Sequence, residues 1–597
     1  MVGGTMSLKF TDTFEQLKTK LSSLEGDWDE SQNNKKVFKR GAGLLNWFST
    51  TGSINFQGKE PDKSELERAV LEALYPQEAN SLIEQSLEHK SEVISIDKED
   101  TSIERKYLTS GINEGELIIG IVSAVGTETN RVSNPLKDRL RGFGYEVEEI
   151  RVSSILPKPI PETINEYERI KHYMNVGDKL REESGNNAIL ATGVAQEIAK
   201  KRGDSAKPCK KAYIIISLKH PSEVEYLRKI YADGFYLIGI HADEKRRHKY
   251  LTDDKSLSQL EAQELIKIDE DESLEHGQKT RDTYHLSDFF INLGKNDDVV
   301  KNRLQRFLEL IFSHPYKNPT FDEFAMFMAF NSSVRSGDLS RQVGAVISRD
   351  NQIIATGAND VPQSGGGLYW ATVDTETGEV KDHQDGKDYT RDIDSNKQTQ
   401  AEIIKEIAQS LIEKGLVASD QEVDLAKILK ESKISDLTEF GRIVHAEMDA
   451  LLSCSRGGIP TIDAVLYCTT FPCHNCAKHI VASGIKRVVY VEPYPKSKAL
   501  DFYSESIQLK TELDTDNLDK NLVTFEPFIG VGPRRFLDLF SMSLGSGSKL
   551  KRKNKDGTTL DWDKSTAPIR TPLLSKSYLE IEEAAIEIWK EVQSAHV

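Results

Sequence analysis

Cysteine is scarce in this chain, with five residues in 597, too few for a disulfide scaffold and in keeping with a reducing compartment. Long apolar runs are missing as well, and none approaches the roughly 20 residues that a membrane-spanning helix needs. No apolar core preceded by basic residues stands near the beginning, where Met1–Thr5 precede a second methionine, Met6, so no secretory signal is expected. The expected location is therefore cytoplasmic, without a membrane partner. Basic side chains are in deficit too: 78 Lys and Arg face 95 Asp and Glu, a net charge of −17. That balance weighs against a general polynucleotide binder, whose affinity comes from neutralised phosphates. One basic cluster, Lys549 to Lys555, follows Gly545-Ser546-Gly547-Ser548 and reads as a solvated linker, with a nucleic-acid contact as the alternative. The remainder, 38% apolar and 29% charged, is the composition of an ordinary globular protein, long enough for about three or four domains.

What the chain does have is His445-Ala446-Glu447 followed by Pro472-Cys473-His474-Asn475-Cys476. One imidazole and two thiolates, His445, Cys473 and Cys476, give zinc three protein ligands and leave the fourth tetrahedral position open for water, as a catalytic site requires. Zinc lowers the pKa of such a water to about 7. Glu447, two residues from a ligand but not one itself, is placed as general acid and base. The spacing predicts a helix over 441–452 and a second opening at Pro472 and running to about Ser483, so that two positive helix ends face one metal. A Cys-x-x-Cys pair alone would equally suit a redox pair or half of a structural zinc site; His-x-Glu upstream and Pro before the first Cys decide for the signature of zinc-dependent nucleobase deaminases. Cys209, Cys454 and Cys468 lack ligand spacing and read as small buried residues. His474 and His479 read as helix surface or as neighbours of the site.

Upstream, residues 1–112 read as a helical, charge-rich extension with a helical run over 63–87. A strand over 116–122 then runs straight into Ser123-Ala124-Val125-Gly126-Thr127, where a phosphate-binding loop would stand between a first strand and a helix. Gly120, Ser123, Gly126 and Thr127 are the candidate phosphate contacts. Further strands over 144–150, 212–216, 235–240 and 289–292 alternate with helical patterns, which indicates a doubly wound parallel α/β layer. Residues 113–316 resemble a P-loop nucleotide-kinase domain, with a charged, lid-like stretch over 243–255. The lysine that should follow the second glycine is missing, since Thr127 follows Gly126 directly. Phosphoryl transfer is not expected, and nucleotide sensing and a plain scaffold both remain open.

Residues 317–545 carry the zinc motif, with an insertion over about 365–440 that suggests a lid or a subunit contact. A helix over 321–331, a strand into 347 and its partner over 353–359 precede it, and residues 546–597 follow as a basic linker and C-terminal helix. This segment resembles a deoxycytidylate deaminase. Together with the kinase-like segment, and with Arg335-Ser336-Gly337-Asp338-Leu339-Ser340-Arg341 and Gly530-Val531-Gly532-Pro533-Arg534-Arg535, the chain is similar to the bacterial anti-phage dCTP deaminases over residues 115 to 545. The resemblance implies an α/β fold: an N-terminal P-loop kinase-like parallel α/β domain plus a C-terminal cytidine-deaminase-like three-layer α/β/α domain. It further implies Zn²⁺ as cofactor, deoxycytidine nucleotides as substrates, dCTP to dUTP and dCMP to dUMP, and depletion of dCTP during infection. A homo-oligomer and, in some members, a small regulatory RNA are the implied partners. Asn359 is carried over as a sugar contact, with turn capping as its other reading. Arg341, Arg335 and Arg534 are candidates for the phosphates, with surface ion pairs as the alternative, and Ala446 and Tyr494 complete the substrate residues. A dCMP-only enzyme and a polynucleotide deaminase are the rival readings.

Overall fold

Seven consecutive buried residues, Leu117–Ser123 (β1), form the centre of a parallel sheet. Such an unbroken apolar run is what a strand covered on both faces requires. In the computed structural model the described residues are 9–31, 35–58, 62–75, 115–158, 164–203, 210–270, 276–437, 439–493, 497–510, 518–545, 549–554 and 556–573. They fall into two compact units, divided at residue 111.

The unit before residue 111 corrects the expectation of a helical extension. Asp27–Asp29, Lys35–Arg40, Gly43–Phe48 and Ile54–Gly58 make a four-stranded antiparallel meander, accompanied by helices Phe14–Lys20 and Asp62–Leu74. Charge hid the strands: Lys39 and Arg40 are exposed while Phe38, Leu45 and Trp47 enter the core, and Gly41, at φ +57°, makes the hairpin turn. The expected helix over 63–87 is present as far as Leu74, and its continuation lies outside the described residues.

In the second unit β1 is joined by Glu146–Arg151 (β2), Lys211–Leu218 (β3), Phe235–His241 (β4) and Phe289–Asn292 (β5), all parallel, in the order β2-β3-β1-β4-β5. Helix Asn130–Gly142 (α1) packs with Asp297–Ile311 (α4) on one face. Ile189–Arg202 (α2) and Pro221–Tyr231 (α3) cover the other. This is the kinase-like doubly wound layer the sequence implied.

The second sheet contains Gly344–Arg349 (β6), Gln352–Ala358 (β7), Val465–Thr470 (β8), Arg487–Glu492 (β9), Ile507–Leu509 (β10) and Val523–Pro527 (β11), ordered β7-β6-β8-β9-β11-β10. The pairs β7/β6 and β6/β8 are antiparallel; the others are parallel. Helix Phe321–Ser333 (α5) lies against Val346 and Tyr467 on one face. Ala446–Arg456 (α6) and His474–Ala482 (α7) lie against Ala345, Leu466 and Cys468 on the other, giving three α/β/α layers. Gly357 on β7 permits the close fit of α6, because a Cβ there would strike the backbone oxygen of Ala446.

The two sheets share a core. Phe290 from the first and Met326, Val346, Tyr467 and Phe528 from the second side belong to one buried cluster. After β11 the chain crosses over, and Gly530–Val531 pairs antiparallel with β5. Residues 550–573 then return along the kinase-like layer: Ile569 is buried in its core, Trp562 donates its indole N–H to the Phe312 carbonyl at 3.0 Å, and Arg570 donates its backbone N–H to the Ile311 carbonyl at 2.8 Å. The stretch that reads as a solvated linker thus keeps Lys549, Lys551 and Lys553 exposed while Leu550 is buried.

Candidate metal centre and active site

The residues just before α6 are extended rather than helical, because Val444 and Asp360 exchange two backbone hydrogen bonds of 3.0 and 3.2 Å. The helix expected from 441 therefore begins at Ala446, with His445 as its N-cap. Cys473 is likewise the N-cap of α7, and its Sγ accepts the Cys476 backbone N–H at 3.5 Å. Two helix starts meet there. His445 Nδ1 lies 3.4 Å from both the Cys473 and the Cys476 Sγ.

Those separations are the test of fit for zinc. With Zn–S near 2.3 Å and Zn–N near 2.0 Å, the edge of a tetrahedron is about 3.5 Å, and the two N···S distances match it. All three donor atoms lie within 4.8 Å of one another, the one such cluster among the described residues. The thiol of Cys473 is drawn down to about 4, first by its hydrogen bond with Cys476 and then by His445. The imidazole is raised to about 9, chiefly by Cys473. An imidazole and two cysteine sulfurs gathered at helix N-termini suit a divalent borderline-soft ion. Glu447, 4% exposed, has its carboxyl raised by burial, with the Cys473 charge adding to it and His445 opposing.

These groups stand at a cavity of about 580 Å³ that Asn359, Arg341, His445, Ala446, Glu447 and Cys473 help to line. Residues 319–492 match the family described as the cytidine and deoxycytidylate deaminase zinc-binding region. The deoxycytidylate deaminase of Enterobacteria phage T4 is 34% identical over 173 residues, 29% of this chain and 77% of that protein. The chain belongs to the deoxycytidylate deaminase family. Zinc is the ion of this region.

ComE operon protein 2 of Bacillus subtilis is 51% identical over 53 residues, 9% of this chain and 28% of that one. The solved dCMP deaminase from the cyanophage S-TIM5 in complex with dCMP and dUMP is 17% identical, with 35% of this chain and 99% of that one covered at a TM-score of 0.19.

The structure gathers some of the expected substrate residues and disperses others. Asn359 faces the cavity, but its amide is occupied: Oδ1 accepts the Val343 N–H at 2.6 Å, and Nδ2 donates to Asp338 Oδ2 at 2.9 Å and to the Arg341 carbonyl at 2.8 Å. Arg341 lines the cavity while its Nη2 donates to Glu492 Oε1 at 2.7 Å. Ala446, fully buried, contributes the wall where α6 begins. Arg335 is not at this cavity. It stacks 3.9 Å over the Trp370 ring and lines a smaller cavity with Asp449 and Arg456. Arg534, itself exposed, lies 4.0 Å from the buried carboxylate of Asp288, and Tyr494 lies outside the described residues.

Sequence reading missed the insertion's share of the wall. Asp388, Asp394, Asn396 and Lys433 all line the catalytic cavity, as do Lys498 and His474. The insertion is held by two ion pairs, Lys387 Nζ to Asp360 Oδ2 at 2.9 Å and Arg442 Nη1 to Asp388 Oδ1 at 2.8 Å. No local pattern signals contacts that distant in sequence, although His474, inside the motif, was in view.

Of the phosphate-loop candidates, Ser123, Gly126 and Thr127 line a separate cavity in the kinase-like layer. Gly120 does not. It lies inside β1, where a Cβ would meet Leu218 and Phe235 side chains at 2.7 and 2.9 Å, so its smallness serves sheet packing.

Proposed function

We propose that this chain hydrolytically deaminates free deoxycytidine nucleotides, dCMP to dUMP and dCTP to dUTP, with release of ammonia. The observation that carries the reading is the placement of Glu447 beside the His445, Cys473 and Cys476 triad at the cavity wall. Zinc, when bound by these three, supplies a Lewis acid that makes hydroxide available near neutral pH. Glu447 takes the proton from the attacking water, delivers it to N3 of cytosine as C4 becomes tetrahedral, and carries a further proton to the departing amine. Ala446 and the start of α6 bound the base. Arg341, Lys433, Lys498 and His474 are the basic groups of a lining that also holds Asp338, Asp388 and Asp394, and they are the candidates for a phosphate chain.

The insertion adds Asp388, Asp394, Asn396 and Lys433 to the cavity wall, which favours a free nucleotide over a strand, and the net charge of −17 points the same way. Depletion of dCTP as a defence against phage rests on the resemblance to the anti-phage deaminases. Product chromatography after incubation with dCMP, dCTP, CTP and a cytosine-containing single-stranded DNA tests the proposal. Both deoxynucleotides are expected to turn over and the DNA to remain unchanged. Uracil in the DNA with neither nucleotide deaminated would overturn it, and dUMP alone would remove dCTP from the substrates.

A further inference from the structure

The cavity under the Ser123–Thr127 loop, about 460 Å³, opens at the carboxyl ends of β1 and β3. The helices that follow these neighbouring strands, α1 and α3, lie on opposite faces of the sheet. In an open parallel sheet this is the crevice in which ligands bind. Five Lys and Arg side chains line it against Glu166 and Asp269, while Ile170, Tyr173, Met174 and Leu251 supply apolar lining.

Polar groups in this wall lack partners. Thr127 is 8% exposed and its buried hydroxyl has no hydrogen bond among the described residues; the same holds for Nε of Arg181, which is 1% exposed, and for Oε1 of Gln278. Burying such groups unpaired costs free energy unless a ligand meets them. Ser217, also in the wall, is held at φ +75° where β3 bulges against β1, a local strain of the kind found at ligand sites.

An acid already occupies part of the cradle. Asp269 is 1% exposed and stands next to the last residue of helix Gln259–Glu270, where the helix dipole disfavours a carboxylate. Its Oδ2 accepts the Val125 loop N–H at 2.8 Å, and its Oδ1 accepts from Lys219 Nζ at 2.7 Å and Thr280 Oγ1 at 3.2 Å. A loop N–H and a lysine ammonium gathered on one oxyanion is how a phosphate is held. Lys219, at the end of β3, thus supplies the ammonium that the loop itself lacks. Asp269 also borders a second cavity of about 360 Å³, lined by Arg247, Arg281 and Lys510. A displaced carboxylate has both room and cationic neighbours there.

We propose that this cavity is a second nucleotide site, which holds a nucleoside phosphate without transferring phosphate, and that Asp269 is a built-in anion that the ligand's phosphate displaces from Val125 and Lys219. The site stands apart from the deaminase cavity, so its test does not depend on the deamination reading. Equilibrium dialysis of the full chain against dATP and dGTP, which carry no cytosine, measures it directly. Saturable binding is expected. Lys219→Ala weakens it about tenfold, the size of one lost hydrogen bond to a charged group, and Thr127→Val about fivefold.

Asp269→Asn, which removes the competing charge, binds more tightly. A purely structural carboxylate would give the opposite sign. Thr127→Val removes an unpaired buried hydroxyl and leaves the unfolding midpoint unlowered, so weaker binding in it cannot come from misfolding. Absence of saturable binding, or binding that Thr127→Val and Asp269→Asn leave unchanged or that Asp269→Asn weakens, would overturn the proposal.

Discussion

Cys473 and Asn359 face the same cavity, yet removing each is expected to fail differently. Cys473→Ala removes one of three donors and leaves His445 with a single thiolate, so the purified variant is expected to contain little zinc and to be inactive; metal content by atomic absorption checks this. Asn359→Ala leaves the Val343 N–H without its acceptor and removes the donor to Asp338 Oδ2, although Asp338 Oδ1 still accepts the Ser340 N–H. About 2 kcal/mol of stability is expected to go with them, measured as a lower urea midpoint. Zinc content at low temperature should stay unchanged. The metal residues were legible because their spacing is local and each sits at a helix start. Asn359 was legible as a position but not in its partners, because Asp338 and Arg341 reach it through a loop whose course the sequence does not announce. Arg335 went astray for a similar reason: Trp370 of the insertion captures its guanidinium.

Among the elements, the insertion depends most on single contacts. Lys387 is 7% exposed and Asp360 1% exposed, and Asp360 lies in the segment that pairs with Val444 next to His445. Lys387→Met strands a buried carboxylate that still receives the Gly337 and Val361 N–H groups. A loss of about 3 kcal/mol is expected by denaturant titration, with KM for dCMP rising more than kcat falls as the cavity wall loosens. Equal KM in the variant would mean that the insertion does not shape the cavity. The five parallel strands of the first layer, β6 and β7, and helices α5, α6 and α7 were visible from apolar runs and periodicity, whereas β8, β10, β11 and helices α1, α2 and α4 were not expected; the missing helix turns at 441–445 have a physical cause in the Asp360–Val444 pairing. The antiparallel meander near the beginning was hidden, because short strands with exposed lysines resemble a charged helix in composition.

On the scale of the whole molecule, the kinase-like layer and the deaminase layer of the second unit cannot be cut apart without opening a core. Glu323 on α5, 1% exposed, binds Arg306 of α4 through two bonds of 2.7 Å and also accepts the Val531 N–H at 2.8 Å. Phe528 meets Phe290 edge-on, with ring centres 5.6 Å apart. A protein reduced to residues 317–545 is therefore expected to unfold without a cooperative calorimetric transition, whereas a sharp transition would show the deaminase layer to be self-sufficient. The Glu323–Val531 and Phe290–Phe528 joins are invisible to local pattern, since each pairs residues more than two hundred positions apart. A zinc triad is paired here with a separate proton carrier, and zinc content measured beside dUMP formation from dCMP, in the full chain and in Glu447→Gln, tests that pairing. About one zinc per chain in both proteins, with turnover lower by about a thousandfold in the variant, is the expected result; full turnover in Glu447→Gln, or turnover by a protein free of zinc, would contradict it.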